Sequence, residues 1–185
     1  SPHIPEPDHE TVLQRQRVFG YTQEDIQLFL GPMAMQSQDP VGSMGTDAAL
    51  AVLSDRPRML YDYFKQLFAQ VTNPPLDCIR EELITQMSIT IGPQGNLLEP
   101  TPESCRQIMA ESPILDNDQM AKLNHLDHPF FKSVTIPILF ETKKGADGLR
   151  DALDEICKKA SEAIKEGCNI IILYDRAVSR EMTPI

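Results

Sequence analysis

The tetrapeptide His125-Leu126-Asp127-His128 places two imidazoles and a carboxylate within four residues, the donor types that a divalent metal takes. A metal needs at least one further ligand from elsewhere, and nothing in the sequence points to one. An exposed corner ahead of Pro129 is the expected structure. Gly42 and Gly45 raise the idea of a phosphate-cradling loop. They lack the G-x-x-x-x-G-K-[ST] frame and follow no clear strand, so a flexible turn is expected. Asp175-Arg176 stands directly after an apolar run, at the carboxyl end of an expected strand, where sites form in α/β folds. The pair suits either a structural salt bridge or the site of a free-standing α/β hydrolase or phosphotransferase. No serine sits in G-x-S-x-G, and no histidine is placed to pair with one. Lys143-Lys144 and Lys158-Lys159 have the character of solvated helix-end charges. On chemistry alone, the residues describe a domain without a catalytic centre of its own.

Cysteines 78, 105, 157 and 168 show no C-x-x-C or paired spacing, which argues against zinc and iron–sulfur sites. Cys105 and Cys157 fall among apolar neighbours in helical patterns, so reduced, buried thiols in a cytosolic setting are expected. The 185 residues suit one domain, or a piece of a larger one, and 41% hydrophobic residues suffice for a core. Trp is absent and aromatic residues make up 6%, so that core must rest on Leu, Ile, Val, Met and Ala. A net charge of −10 disfavours nucleic acid and anionic membrane, whose partners cluster Lys and Arg. The apolar runs 134–140 and 170–174 are too short to span a bilayer. The chain opens without Met or a signal-peptide pattern and ends soon after a strand, as an excerpt of a longer protein would.

The elements that would carry these residues follow from pattern. Residues 1–8 hold three prolines and form a linker. A short helix is expected over 9–19, broken by Gly20. A second starts at Thr22-Gln23-Glu24-Asp25 and ends near Gly31-Pro32 or one turn past it. Residues 36–46 form a loop, and 48–53 fit either a strand or a helical turn. Leu60, Phe64, Leu67, Phe68 and Val71 predict an amphipathic helix with Pro57 in its first turn. It stops at Thr72-Asn73-Pro74-Pro75, because a proline drives the residue before it out of the α region. Pro75 opens a further helix with Ile79, Leu83 and Met87 at a four-residue step.

A strand is expected over 88–91, then a helix from Thr101-Pro102-Glu103-Ser104 and another from Asp116 or Asn117. Residues 134–140 form a strand that Pro137 confines to an edge or a bulge. The clearest helix runs from Gly145 to Gly167, with Leu149, Leu153, Ile156, Ala160, Ala163 and Ile164 on one face. Residues 169–174 form a strand buried on both faces. Strand, helix and strand make a βαβ unit with parallel strands. The fold class is therefore α/β, with a helix-rich N-terminal half.

Four strings occur in order: FGYTQEDI; DPVGSMGTDAALAVLSDRPRMLYDYFKQLFAQVTNPPLDCIREEL; GPQGNLLEPTPESCRQI; and GADGLRDALDEI with NIIILYDR. From about Phe19 to the end, the chain resembles the central domain of the glutamate synthase large subunit. The departures are Tyr174, where the family tends to have Ser, and Cys78, where Pro is common. The resemblance implies a single domain over 1–185, the first half to two-thirds of an incomplete or modified βα-barrel-like domain. It implies a parent enzyme that makes glutamate from glutamine and 2-oxoglutarate, in the cytoplasm or the plastid stroma. Its partners are then the glutaminase and FMN-binding domains of the same chain, with ferredoxin or an NADPH-oxidising subunit as electron source. FMN and an iron–sulfur cluster belong to the parent; no cofactor is expected here, and the fragment alone is expected to be inactive. The family's ammonia-tunnel wall falls on Met44, Thr72 and Asn73. A Met gives an adaptable apolar wall and Thr and Asn give uncharged hydrogen-bonding groups, which suits a neutral gas. A pure docking module without a conduit is the other reading compatible with the resemblance.

Overall fold

A computed structural model describes residues 2–42, 50–55, 58, 60–64, 70–71 and 73–185. They fall into two compact units: Ser1–Gly20 with Gln86–Ile185, and Tyr21–Thr85. The content is mixed helix and strand, as the α/β class requires.

The first unit opens with the extended residues 2–8 and helix α1, His9–Val18. Asp8 is its N-cap, accepting from the Thr11 N–H at 2.9 Å. Gly20, at φ +76°, lets the chain turn away where Phe19 closes the helix.

In the second unit, residues 25–36 are helical throughout, one turn past Gly31-Pro32. The first six, Asp25–Leu30, wind as a wide π-helix, and α2 is Gly31–Gln36. Gly31 stands at the junction because a Cβ there would lie 2.9 Å from the Ile26 carbonyl oxygen. Asp25 accepts from both the N–H and the hydroxyl of Thr22 at 2.8 Å, and the backbone N–H leads in holding its carboxyl below the usual 3.8. That stabilisation is complete above pH 3.8 and disappears as pH falls through the lower, folded value. Protection of the amides of residues 26–29, measured against their intrinsic exchange rates, is therefore expected to fall only below pH 3.8, and Asp25→Asn should flatten that profile.

Residues 37–42 are irregular, as expected of the glycine segment. Gly42 serves packing: the ring of Phe29 lies where its Cβ would be. Gly45 lies outside the described residues. The undecided stretch resolves as a 3₁₀ turn over Ala51–Leu53. Of the amphipathic helix expected from Leu60, Leu60–Phe64 is 3₁₀ and Val71 is exposed outside any helix; Leu67 and Phe68 lie outside the described residues. Helix α3 is Cys78–Ile84. It begins three residues later than Pro75, because the Asp77 carboxylate accepts from the Ile79 and Arg80 N–H groups at 3.0 and 2.9 Å.

The larger unit continues with β1, Ile89–Ile91, antiparallel to β2, Ile108–Ala110. The helix expected from Thr101 is a single 3₁₀ turn, Pro102–Cys105, closed by a capping box. The chain then extends into β2, and Cys105 is exposed rather than buried. Helix α4, Asn117–Asn124, has Asp116 as N-cap and a reciprocal bond from the Asp116 N–H to Gln119 Oε1 at 2.9 Å. Asp116→Ala should lower stability by about 1 kcal/mol, checked by urea unfolding.

Strand β3, Ser133–Pro137, ends at the proline, and β4, Leu139–Glu141, joins a different ladder. The single strand expected over 134–140 is thus two, with Ile138 as the joint. Helix α5, Gly145–Lys165, ends in a Schellman motif: the N–H of Gly167 bonds to the Ile164 carbonyl at 3.0 Å and that of Cys168 to Ala163 at 2.9 Å. Its inner side holds Gly148 and Ala163, which are buried, with Leu149, Ala152, Ile156 and Ala160 half-buried. Leu153 and Ile164, expected on that side, are exposed. Strand β5, Ile170–Tyr174, pairs parallel with β3, from Ser133↔Ile170 to Pro137↔Tyr174, which completes the βαβ unit. Strand β6, Met182–Pro184, pairs antiparallel with β4.

The core lies under β5, where Ile170 and Ile172 pack with Leu123 of α4. Burial is one-sided, not two-sided as the apolar run implied: Leu173 is 57% exposed. Asn169 ties the entry of β5 to β3, donating to the Phe130 carbonyl at 2.7 Å and accepting from the Lys132 N–H at 3.0 Å.

Candidate functional site

Of the three positions assigned to a tunnel wall, Met44 and Thr72 lie outside the described residues. Asn73 is exposed at a bend, directly ahead of Pro74-Pro75. Its surroundings explain the corner. Pro74 holds Asn73 away from helical geometry, and Asp77 restarts the helix at the earliest point where a side chain can cap it. One oxygen of the Asp77 carboxylate already receives two backbone N–H groups. The corner thus presents the uncharged Asn73 carboxamide four residues ahead of the Asp77 carboxylate.

Asp175-Arg176 follows β5 in the larger unit. They border a groove of about 750 Å³ at the carboxyl end of the strand, together with Ile4, Arg15, Leu115 and Met120. Arg176 Nη1 donates to Asn117 Oδ1 at 3.2 Å, and Arg15 Nη2 donates to the Arg176 carbonyl at 2.9 Å. The ion pairs among the described residues do not join Asp175 to Arg176. Asn117 and Arg15, which hold Arg176, could not be picked out by spacing, since they lie 59 and 161 residues away. The described lining contains no Ser, Thr, Cys, Lys or His, and its acids are Glu6 and Asp175.

The histidine corner turns inward on its own backbone. His125 Nδ1 lies 2.9 Å from the Ala121 carbonyl at the end of α4. His128 Nδ1 accepts from the Phe130 N–H at 3.1 Å, and its ring stacks, tilted, against Phe131 at 5.0 Å. Among the described residues, no group of three or more His, Cys, Asp or Glu side chains converges on a metal-sized site. Cys78, Cys105 and Cys157 are exposed while Cys168 is buried, and all four are free thiols. Such a set does not fit an iron–sulfur cluster. The expectation of buried thiols thus fails at Cys105, at the end of its 3₁₀ turn, and at Cys157, on the exposed side of α5.

The carboxylates with shifted acidity serve local structure. Lys143 and Lys144 flank Glu141 at 3.0 and 3.1 Å and hold its pKa down, chiefly through the Lys143 hydrogen bond. Lys159 does the same for Glu155 at 2.6 Å along α5. No helix among the described residues is long and apolar enough to cross a membrane.

Comparison with known proteins gives the corner and its surroundings a context. The family model described as glutamate synthase central domain matches residues 14–185. The glutamate synthase [NADPH] large chain of Bacillus subtilis is 45% identical over 94% of this chain and 11% of its own length. The NADH glutamate synthase of Schizosaccharomyces pombe is 44% identical over 98% of this chain and 8% of its own. The chloroplastic ferredoxin-dependent enzyme of Spinacia oleracea is 41% identical over 95% and 11%. The chain thus spans about a tenth of the length of these curated relatives. With nearly its whole length matched, the chain belongs to the glutamate synthase central domain family.

Proposed function

We propose that residues 1–185 belong to one non-catalytic central domain that connects a glutaminase domain to an FMN-binding synthase domain and lines part of the ammonia path between them. Met44, Thr72 and Asn73 form this chain's share of the wall. The observation that carries the reading is a neutral amide exposed at a proline-fixed bend, in a chain of this family. Ammonia held near carboxylates would be drawn toward ammonium and retained by charge pairing.

The incomplete-barrel arrangement belongs to the same proposal. Strands β3 and β5 form a parallel sheet of only two strands among the described residues, whereas parallel sheets are normally wider and covered on both faces. The exposed Leu173 and Tyr174 would be covered when further βα units extend that sheet. Glutamine hydrolysis, flavin chemistry and electron entry from ferredoxin or an NADPH-oxidising subunit are assigned to parts of the parent beyond these residues.

Two measurements test the reading. The purified 185-residue chain should show no flavin absorbance in the visible region; bound flavin would contradict a scaffold without a catalytic centre. In the complete enzyme, Thr72→Trp should reduce glutamine-dependent glutamate formation and spare formation from added ammonia. Equal loss of both would leave only a docking role. The hydrolase or phosphotransferase reading of Asp175 and Arg176 gains no support from the family the chain belongs to.

A further inference from the structure

The seven residues of α3 present an apolar face that the described residues leave exposed. Ile79 is 81% exposed and Leu83, one turn further on the same face, is 73% exposed. Isolated helices shorter than roughly 12–15 residues are marginal in water, and most draw their stability from packing an apolar face. Among the described residues, the element pairs that pack extensively do not include α3. An apolar pair at this spacing is the signature of a helix that lies in a groove.

We infer that α3 docks through Ile79 and Leu83 into an apolar groove with a basic rim, on a part of the longer glutamate synthase chain outside residues 1–185. This rests on the proposed role as a connecting domain, and it adds the surface through which the connection is made. Two observations select this occupant. The chain matches only 11% of the Bacillus subtilis relative, so most of a polypeptide of that length remains to supply the groove. The exposed helix also carries Glu81 and Glu82 against the single Arg80, behind the Asp77 cap, in a chain of net charge −10. A second copy would bring the same acids against them, whereas a basic rim complements them. The consequence for the conduit is positional. Only Pro74, Pro75 and Leu76 separate Asn73 from the Asp77 cap, so seating α3 fixes where the wall amide stands.

Hydrogen exchange of the α3 amides, compared between the 185-residue chain and the complete enzyme at equal pH and temperature, tests the docking without a substitution. Exchange of residues 81–84 should be at least about tenfold slower in the complete enzyme, which corresponds to about 1.4 kcal/mol of added protection. Labelling of the exposed Cys78 thiol by maleimide should slow in parallel. Equal exchange in both forms overturns the inference. Protection in the short chain that grows with its concentration also overturns it, in favour of a second copy. Loss of protection alongside an intact difference between glutamine- and ammonia-dependent rates in Thr72→Trp removes the docking alone. Protection without that difference removes the conduit alone.

Discussion

Replacing Asn73 by Trp in the complete enzyme is expected to cut glutamine-dependent glutamate formation about tenfold or more, a barrier increase of about 1.4 kcal/mol. Formation from added ammonia should stay within about twofold. The substitution suits the question because Asn73 is exposed at a bend, so an indole there displaces no core side chain. The backbone tolerates it, since the residue before Pro74 is held extended whatever its side chain. The effect is thus steric obstruction of a path rather than loss of fold. Asn73→Asp separates bulk from charge. It is nearly isosteric, and by favouring ammonium over ammonia it should lower the glutamine-dependent rate with little change in volume. Parallel rates from both nitrogen sources for Asn73→Trp would remove this residue from the wall.

The second large effect concerns the scaffold. Ile172→Ala should destabilise the larger unit by about 2–5 kcal/mol, the range for emptying a packed aliphatic site. Ile172 is 6% exposed and packs with Ile170 and Leu123, joining β5 to α4. Leu173, next in sequence and on the other face, is 57% exposed, and Leu173→Ala should cost less than about 1 kcal/mol in the 185-residue chain. Urea unfolding of the two variants measures the difference directly. Equal losses would mean that β5 is buried on both faces, as its unbroken apolar run first indicated.

That run shows how far the sequence carries the fold. The βαβ unit, the α5 stop at Gly167 and the cap at Asp116 were legible because each depends on local chemistry: periodicity, a left-handed residue, a side chain reaching its own backbone. The division at Pro137 was legible only as a weakness; that β4 turns to pair with β6 depends on residues 45 positions away, Leu139↔Pro184. Thr101-Pro102-Glu103-Ser104 carried a sound helix start, but a start does not set length, and tertiary pairing with β1 drew residues 108–110 into a strand. The face of α5 was legible in Leu149, Ile156, Ala160 and Ala163, all buried or half-buried, while Leu153 and Ile164 share the stripe by hydrophobicity and stay exposed at its margins. The candidate wall residues became legible through resemblance and not through pattern. By pattern, Thr, Asn and two prolines make an ordinary corner.

The central claim is that nitrogen released from glutamine reaches its acceptor without leaving the protein, past neutral groups supplied in part by this chain. It is tested most directly in the complete enzyme supplied with glutamine labelled with ¹⁵N in the amide, in a medium containing excess unlabelled ammonia. The account predicts that the new amino group of glutamate carries the amide label almost undiluted, and that Asn73→Trp lets unlabelled nitrogen in. Label diluted to the isotopic composition of the medium in the unsubstituted enzyme would contradict an enclosed path, and with it the role given to Met44, Thr72 and Asn73.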